Sequence, residues 1–197
     1  MKLLLASRSA ARRRMLEAAG VPFEMVDSDA DEEVKKARLR DRSASPAATA
    51  DALAELKARA VAADWKDLIL GCDQTLERAD GCCFDKPRSR AEAKSQLQAL
   101  SGTAHQLHSA AVIVEAGAPV WRRLESVTLS MRPLSDAFLE TYLDAEYEAI
   151  RHGVGGYRIE GIGAQLFERI EGSHFAVLGL PLLPLLAYLR KRGLLAS

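Results

Sequence analysis

The stretch LILGCDQTLERADGCCFDKP, residues 68–87, decides how the chain is read. Leu68-Ile69-Leu70 is an apolar run of strand length, and Gly71 is expected to stop it. Asp73 then falls just past a strand end, where open α/β sheets hold their ligands. Ala79-Asp80-Gly81 contains the Asp-Gly pair that hairpin turns favour, because such turns need positive φ. The return arm ends at Asp85-Lys86-Pro87. A carboxylate and a lysine on two arms of one hairpin suit a site that binds an anion and activates water beside it. The competing reading is a surface hairpin with ordinary charges.

Toward the N-terminus, Leu3 to Ala6 reads as a buried strand. Ser9 is a candidate cap for a helix from about Ala10 to Ala19, with Met15, Leu16 and Ala19 as its apolar face and Gly20 just beyond its end. The helix start carries Arg12, Arg13 and Arg14, so strand, Ser7-x-Ser9 loop and helix N-terminus together suit a phosphate; a solvated basic face is the alternative. Val21 to Val26 reads as a second strand, leading into the acidic run Asp27 to Glu33. A carboxylate there could hold a divalent cation beside a phosphate. Residues 34 to 46 read as a mobile charged segment. A helix is expected over about Ala47 to Ala63, with Ala50, Leu53, Ala54 and Lys57 on one flank, so that Lys57 either snorkels or reaches into a pocket.

Toward the C-terminus, Ser89 caps a predicted helix over about Arg90 to Leu100. Two long strands, His105 to Glu115 and Pro119 to Met131, turn around Ala116-Gly117-Ala118, and Ser135-Asp136 caps a helix through about Asp144. Five glycines fall between Gly153 and Gly163. They mark tight turns, but not a strand–GxGxxG–helix unit, so a dinucleotide fold is not expected. A strand over Ala164 to Ile170 and an apolar helix over Leu182 to Leu195 complete the chain. The mixture predicts one α/β domain over residues 1–197, three-layered around a long mixed sheet.

The formal net charge is zero. With no basic field, nucleic acid is not an expected partner, and any anion must be held by local clusters. Cys72, Cys82 and Cys83 are too few and too close for a disulfide framework, which points to free thiols in a reducing cytoplasm. The N-terminal apolar run from Leu3 is too short for a signal peptide or a membrane span, and no other stretch approaches membrane length, so no membrane association is expected.

Several separated motifs agree with one another. Leu5-Ala6-Ser7-x-Ser9 with Arg12 and Leu16 resembles the opening of the Maf family. Asp31-Glu32, Lys57, Gly71-x-Asp73, Lys86-Pro87, Ser101-Gly102-x-x-His105, Gly155-Gly156-Tyr157, Phe167 to Gly172 and Gly179-Leu180-Pro181-Leu182 follow in family order. The resemblance covers nearly the whole chain. It implies a three-layer α/β fold related to the inosine triphosphatases, and hydrolysis of a nucleoside triphosphate to the monophosphate and pyrophosphate with a divalent metal cation, Mg or Mn. It implies that Asp73 accepts the proton of the attacking water, that Ser7, Arg12, Lys57 and Lys86 bind phosphates, and that Glu32 and Asp73 stand beside the metal. Maf proteins are often homodimers.

The departures bear on the base. Members that cleave dTTP and UTP usually carry Arg before the arginine at Arg12, Thr after the catalytic Asp, and Gln in a GYxIQG motif. This chain has Ala11, Gln74 and Glu160, and the last two resemble the branch that cleaves 7-methyl-GTP. An ionised Glu160 only accepts, which matches the adjacent ring N–H and amino group of guanine. Methylation makes that base cationic, which a carboxylate also favours. A dTTP/UTP pyrophosphatase is the runner-up. A nucleotide-binding regulator of cell division without turnover is the reading from another class.

Overall fold

The computed structural model describes residues 1–64 and 66–196. In chain order the elements are β1 (Leu3–Ala6), α1 (Ala10–Ala18), β2 (Glu24–Met25), α2 (Glu32–Asp41), α3 (Pro46–Arg59), β3 (Leu68–Arg78), β4 (Cys83–Phe84), α4 (Arg90–Leu100), β5 (Ala104–Glu115), β6 (Ala118–Met131), α5 (Asp136–Ile150), a 3-10 turn (Ile162–Leu166), β7 (Phe167–Glu171), α6 (His174–Val177) and α7 (Leu182–Lys191). Among the described residues seven strands form one mixed sheet in the order β2-β1-β3-β5-β6-β7, with β4 beside β3. The β1–β2 and β1–β3 pairs are parallel; β3–β4 and β6–β7 are antiparallel. Helices flank this sheet, which makes the chain an α/β protein of the class the sequence predicts.

Contacts divide the chain into two compact units. The first comprises Met1–Gln74, His108–Glu125 and the stretch from Ser173 on; the second comprises Thr75–Leu107 and Ser126–Gly172. In the first unit β1 and β3 are covered on both faces. Leu3, Leu5, Leu68, Leu70 and Cys72 pack with Met15 and Leu16 of α1 and Leu182, Leu185 and Leu189 of α7. The alternate residues Leu4, Ala6 and Ile69 pack with Ala50, Ala54 and Ala58 of α3. The period of two along β1 and β3 thus feeds two separate cores. The turn between β5 and β6 has positive φ at both Ala116 and Gly117, as a two-residue hairpin requires. In the second unit, α4 packs on α5, and Arg90 and Lys94 pair with Glu140 across that contact.

Several boundaries differ from the sequence reading, each for a local reason. Gly71 does not end its strand: β3 runs on to Arg78, so Asp73 lies inside a strand rather than beyond its end. A Cβ at Gly71 would sit 2.0 Å from the Ala54 carbonyl oxygen and 2.7 Å from the Ala58 nitrogen. The glycine is there for the close passage of α3. Residues 34–46, read as mobile, are mostly α2. Asp31 caps the Val34 N–H, Glu32 and Glu33 occupy the first turn, and Arg38 and Arg40 the last, so the charges complement the helix dipole with no buried residue. The 21–26 strand shrinks to Glu24–Met25, and α5 runs six residues past Asp144 to Ile150. Of the predicted 164–170 strand, the first part is a 3-10 turn. The short α6 lies where the sequence predicts no element, and α7 stops at Lys191. No helix among the described residues is long and apolar enough to cross a membrane.

Candidate active site

The carboxylate of Asp73 is aimed at α3. Because Gly71 and the alanines of α3 let helix and strand approach closely, the next turn of the helix brings Lys57 over Asp73. Lys57 Nζ lies 2.6 Å from Asp73 Oδ1 and 3.1 Å from Glu32 Oε2. The side chains of Lys57 and Asp73 are only 12% and 13% exposed. Ser28 Oγ donates to the Lys57 carbonyl oxygen, which ties the loop before α2 to the end of α3 and brings Glu32, the first residue of α2, to the ammonium. Two carboxylates thus converge on one cation, and a buried charge is held by a partner of opposite sign.

Ser7 and Arg12 meet at the end of β1. The Ser7 Oγ accepts from the Ser9 N–H at 3.3 Å and from Arg12 Nη1 at 3.1 Å, which leaves its own proton to donate. Arg12 is buried, contrary to a solvated basic face. Its Nε donates to the Gly179 carbonyl oxygen at 2.7 Å, and Nη1 also donates to the Cys72 carbonyl oxygen at 3.1 Å. Three of its five N–H donors are spent on protein, so any phosphate contact from Arg12 falls to Nη2. The spacing could have disclosed this: Arg12 stands three and four residues before Met15 and Leu16, on the buried face of α1.

Gln74, the next outward step along β3, is half-buried. Its Nε2 donates to Ser109 Oγ at 2.8 Å and to the carbonyl oxygens of Ala176 and Val177 at 3.0 and 3.1 Å. Ser109 Oγ donates to the Ala176 carbonyl oxygen at 2.6 Å. Neither Ser109 nor Gly179 was singled out from sequence as a partner in this network; a buried serine in an apolar strand leaves no signal that sequence reading can use. Ala11 is half-buried on α1 and offers no polar group.

Ser7, Arg12, Glu32, Lys57, Asp73 and Gln74 all belong to the first unit; Lys86 and Glu160 belong to the second. Lys86 is exposed beside buried Pro87. Glu160 is exposed in a loop built by its neighbours. Arg158 makes a two-pronged pair with Glu146 of α5, at 2.9 and 3.1 Å, and Tyr142 donates to the Gly156 carbonyl oxygen. Gly155 and Gly156 have positive φ, and a Cβ at Gly163 would lie 2.4 Å from the Arg158 carbonyl oxygen. Nearby, buried His105 bonds Tyr157 through Nε2 at 2.7 Å, while its Nδ1 has no hydrogen-bond partner among the described residues. Burial pushes its pKa down to about 4.

Among the described residues no three His, Cys, Asp or Glu side chains gather as a metal site. Glu32 and Asp73 both face the Lys57 ammonium. Their carboxylates are the oxygen donors that a hard divalent cation takes at sites where one or two carboxylates are joined by water and substrate phosphates.

The chain matches the family described as Maf-like protein over residues 2–192. It belongs to the Maf family. It is 47% identical over 191 residues to a nucleoside triphosphate pyrophosphatase of Caulobacter vibrioides, covering 97% of this chain and 96% of that one. It is 48% identical over 194 residues to the protein of that name from Ruegeria pomeroyi, covering 98% and 97% of the two chains. With the Hyphomonas neptunium protein of the same name it shares 47% over 197 residues, covering 100% of this chain and 99% of that one. The Maf motifs of the sequence therefore sit in a chain that is similar to its Maf relatives from end to end.

Proposed function

We propose that this Maf protein is a cytoplasmic nucleoside triphosphate pyrophosphatase whose residues 1–197 act as one catalytic domain, and that 7-methyl-GTP is its favoured substrate. The observation that carries the reading is the convergence of Asp73, Lys57 and Glu32 in a chain nearly half identical to proteins named for that activity. Products of this type require hydrolysis between the α- and β-phosphates. Asp73 takes the proton from the attacking water, a task that suits a carboxylate held in place by an ammonium. Lys57 orients that carboxylate and, with the free proton of Ser7, offsets charge on the departing pyrophosphate; for Lys86 the support is the Maf resemblance of Lys86-Pro87 alone. A divalent cation held by Glu32 and Asp73 would neutralise phosphate charge when bound. Glu160 is assigned to the base, because its carboxylate accepts two adjacent donors of a guanine and favours a cationic ring. Gln74 is not assigned to the base, since the protons of its amide are already given to Ser109 and to α6.

The test is pyrophosphate release by the purified protein with Mg or Mn on 7-methyl-GTP, GTP, dTTP, UTP and CTP side by side. The reading expects 7-methyl-GTP to be preferred, and Glu160→Gln to move that preference toward pyrimidines by about tenfold or more in the ratio of kcat/KM, the discrimination that one or two hydrogen bonds supply. Preference for dTTP or UTP in the unaltered protein would retain the reaction and discard this substrate. No turnover of any nucleotide would discard the reaction.

A further inference from the structure

Asp73 lies between two residues whose bonds lead to the same turn. Side chains alternate along a strand, and β3 keeps that alternation: Leu68, Leu70 and Cys72 face α1 and α7, whereas Ile69 and Gly71 face α3, as does Asp73. Gln74 therefore points away from the carboxylate it follows. On that side its amide proton donors reach Ala176 and Val177, with Ser109 bridging. The amide orientation is set by chemistry, because the flipped form would aim an oxygen at two carbonyl oxygens. One residue before Asp73, the Cys72 carbonyl oxygen accepts from Arg12, whose Nε holds Gly179. Gly179 has φ +93°, and a Cβ there would come within 3.2 Å of Arg12 Nε and Nη2. The 176–179 turn is thus tied to β3 on both sides of Asp73, by Arg12 at Cys72 and by Gln74 directly.

We propose that Arg12 and Gln74 are positioning residues: together with Ser109 they clamp the 176–179 turn to β3 and so fix the backbone from which the Asp73 carboxylate is aimed. This rests on the reading of Asp73 as the proton acceptor. A buried polar network with its donors satisfied is rigid, and a misplacement of about 1 Å at a reacting group costs on the order of a hundredfold in rate. The clamp differs in its signature from direct contact with substrate. A base reader at position 74 would change the ratio of kcat/KM between nucleotides. A phosphate ligand at position 12 would raise KM. A clamp lowers kcat for every nucleotide alike and leaves KM in place.

The experiment uses the full chain with Mg or Mn and the two nucleotides it turns over best. Gln74→Ala is expected to lower kcat by about tenfold on both, with KM and the nucleotide ratio within about twofold. Ser109→Ala, which removes one bridge, should lower kcat less, and Arg12→Lys should retain more kcat than Arg12→Met. Thermal unfolding of each variant separates lost aim from lost fold; should Arg12→Met fail to fold, Gln74→Ala and Ser109→Ala still decide. In an Asp73→Asn background, Gln74→Ala should cost nothing further in residual turnover, because the two changes remove one function. A changed nucleotide ratio in Gln74→Ala, or a full additional loss in the Asp73→Asn background, overturns the clamp. So does unchanged kcat in Gln74→Ala while Asp73→Asn is inactive, and that outcome leaves the assignment of Asp73 intact. Near-wild-type turnover by Asp73→Asn overturns that assignment and the clamp with it.

Discussion

Asp73 and His105 are both buried polar residues at strand positions, and the protein treats them in opposite ways. Asp73 is given an ammonium at 2.6 Å, which a second carboxylate shares. His105 is given one phenol and two aromatic rings, those of Tyr157 and Phe167, and one of its nitrogens is left without a partner among the described residues. The first environment holds charge in place; the second expels it, as the lowered pKa of His105 records. The difference teaches that burial alone does not mark a catalytic group. Counter-charges assembled around a buried carboxylate are what make Asp73 the candidate.

The comparison is most exposed to removal of the retained charge. Asp73→Asn is expected to lower turnover by about a hundredfold or more, the range of a general base, with little change in melting temperature because Lys57 keeps Glu32 as a partner. A large fall in melting temperature would make the cluster a structural one. Next in size is the dry histidine. Its folded pKa of about 4 lies below the ordinary value of 6.5, so between those two pH values the unfolded chain binds a proton that the folded chain refuses. Stability contributed by neutral His105 is complete above pH 6.5 and is lost as pH falls toward 4. From pH 7.5 to pH 5 this amounts to about 2 kcal/mol. His105→Gln, which keeps a nitrogen for Tyr157, should flatten the pH dependence of denaturant stability by one proton in that window; an unchanged slope would show that His105 is not dry. The smallest effect concerns the thiol in the core row of β3. Burial pushes Cys72 up to about 11, while Cys82 and Cys83 are exposed. Iodoacetamide on the native protein at pH 8 should add two labels by mass rather than three, and rapid labelling of Cys72 would show that β3 opens.

Strand and helix periods were legible wherever a surface residue type met a buried one at regular spacing. Ser9, Ser89 and Ser135 each cap the helix expected of them. The candidate site was legible through its charged residues and their order, and Lys57 reaches Asp73 and Glu32 from the flank that its spacing implied. What escaped was information that only packing holds. Gly71 reads as a stop, yet what makes it a glycine is a carbonyl oxygen of α3, seventeen residues earlier in the chain. Arg12 reads as a charge for phosphate, yet two of its acceptors are backbone oxygens, which no side-chain pattern announces. Gln74 reads as a choice of base, yet its two protons are shared among Ser109 Oγ and the carbonyls at positions 176 and 177. In each case the deciding partner is main chain, and main chain is the same at every position of a sequence.

The bond from Arg12 to the Gly179 carbonyl oxygen joins residues 167 apart, and the core beneath it mixes Leu3 and Leu5 with Leu185 and Leu189. A ribosome makes the first partners long before the last. Until α7 has left the exit tunnel, one face of β1 and β3 is covered only by α1, and Arg12 and Gln74 lack their carbonyl partners at 176–179. The second unit, drawn from residues 75–107 and 126–172, has all of its chain available earlier. Completion of the first unit's core therefore waits on translation of α7, and a growing chain carries Asp73 through more than a hundred further residues before the opposite face of its strand is covered.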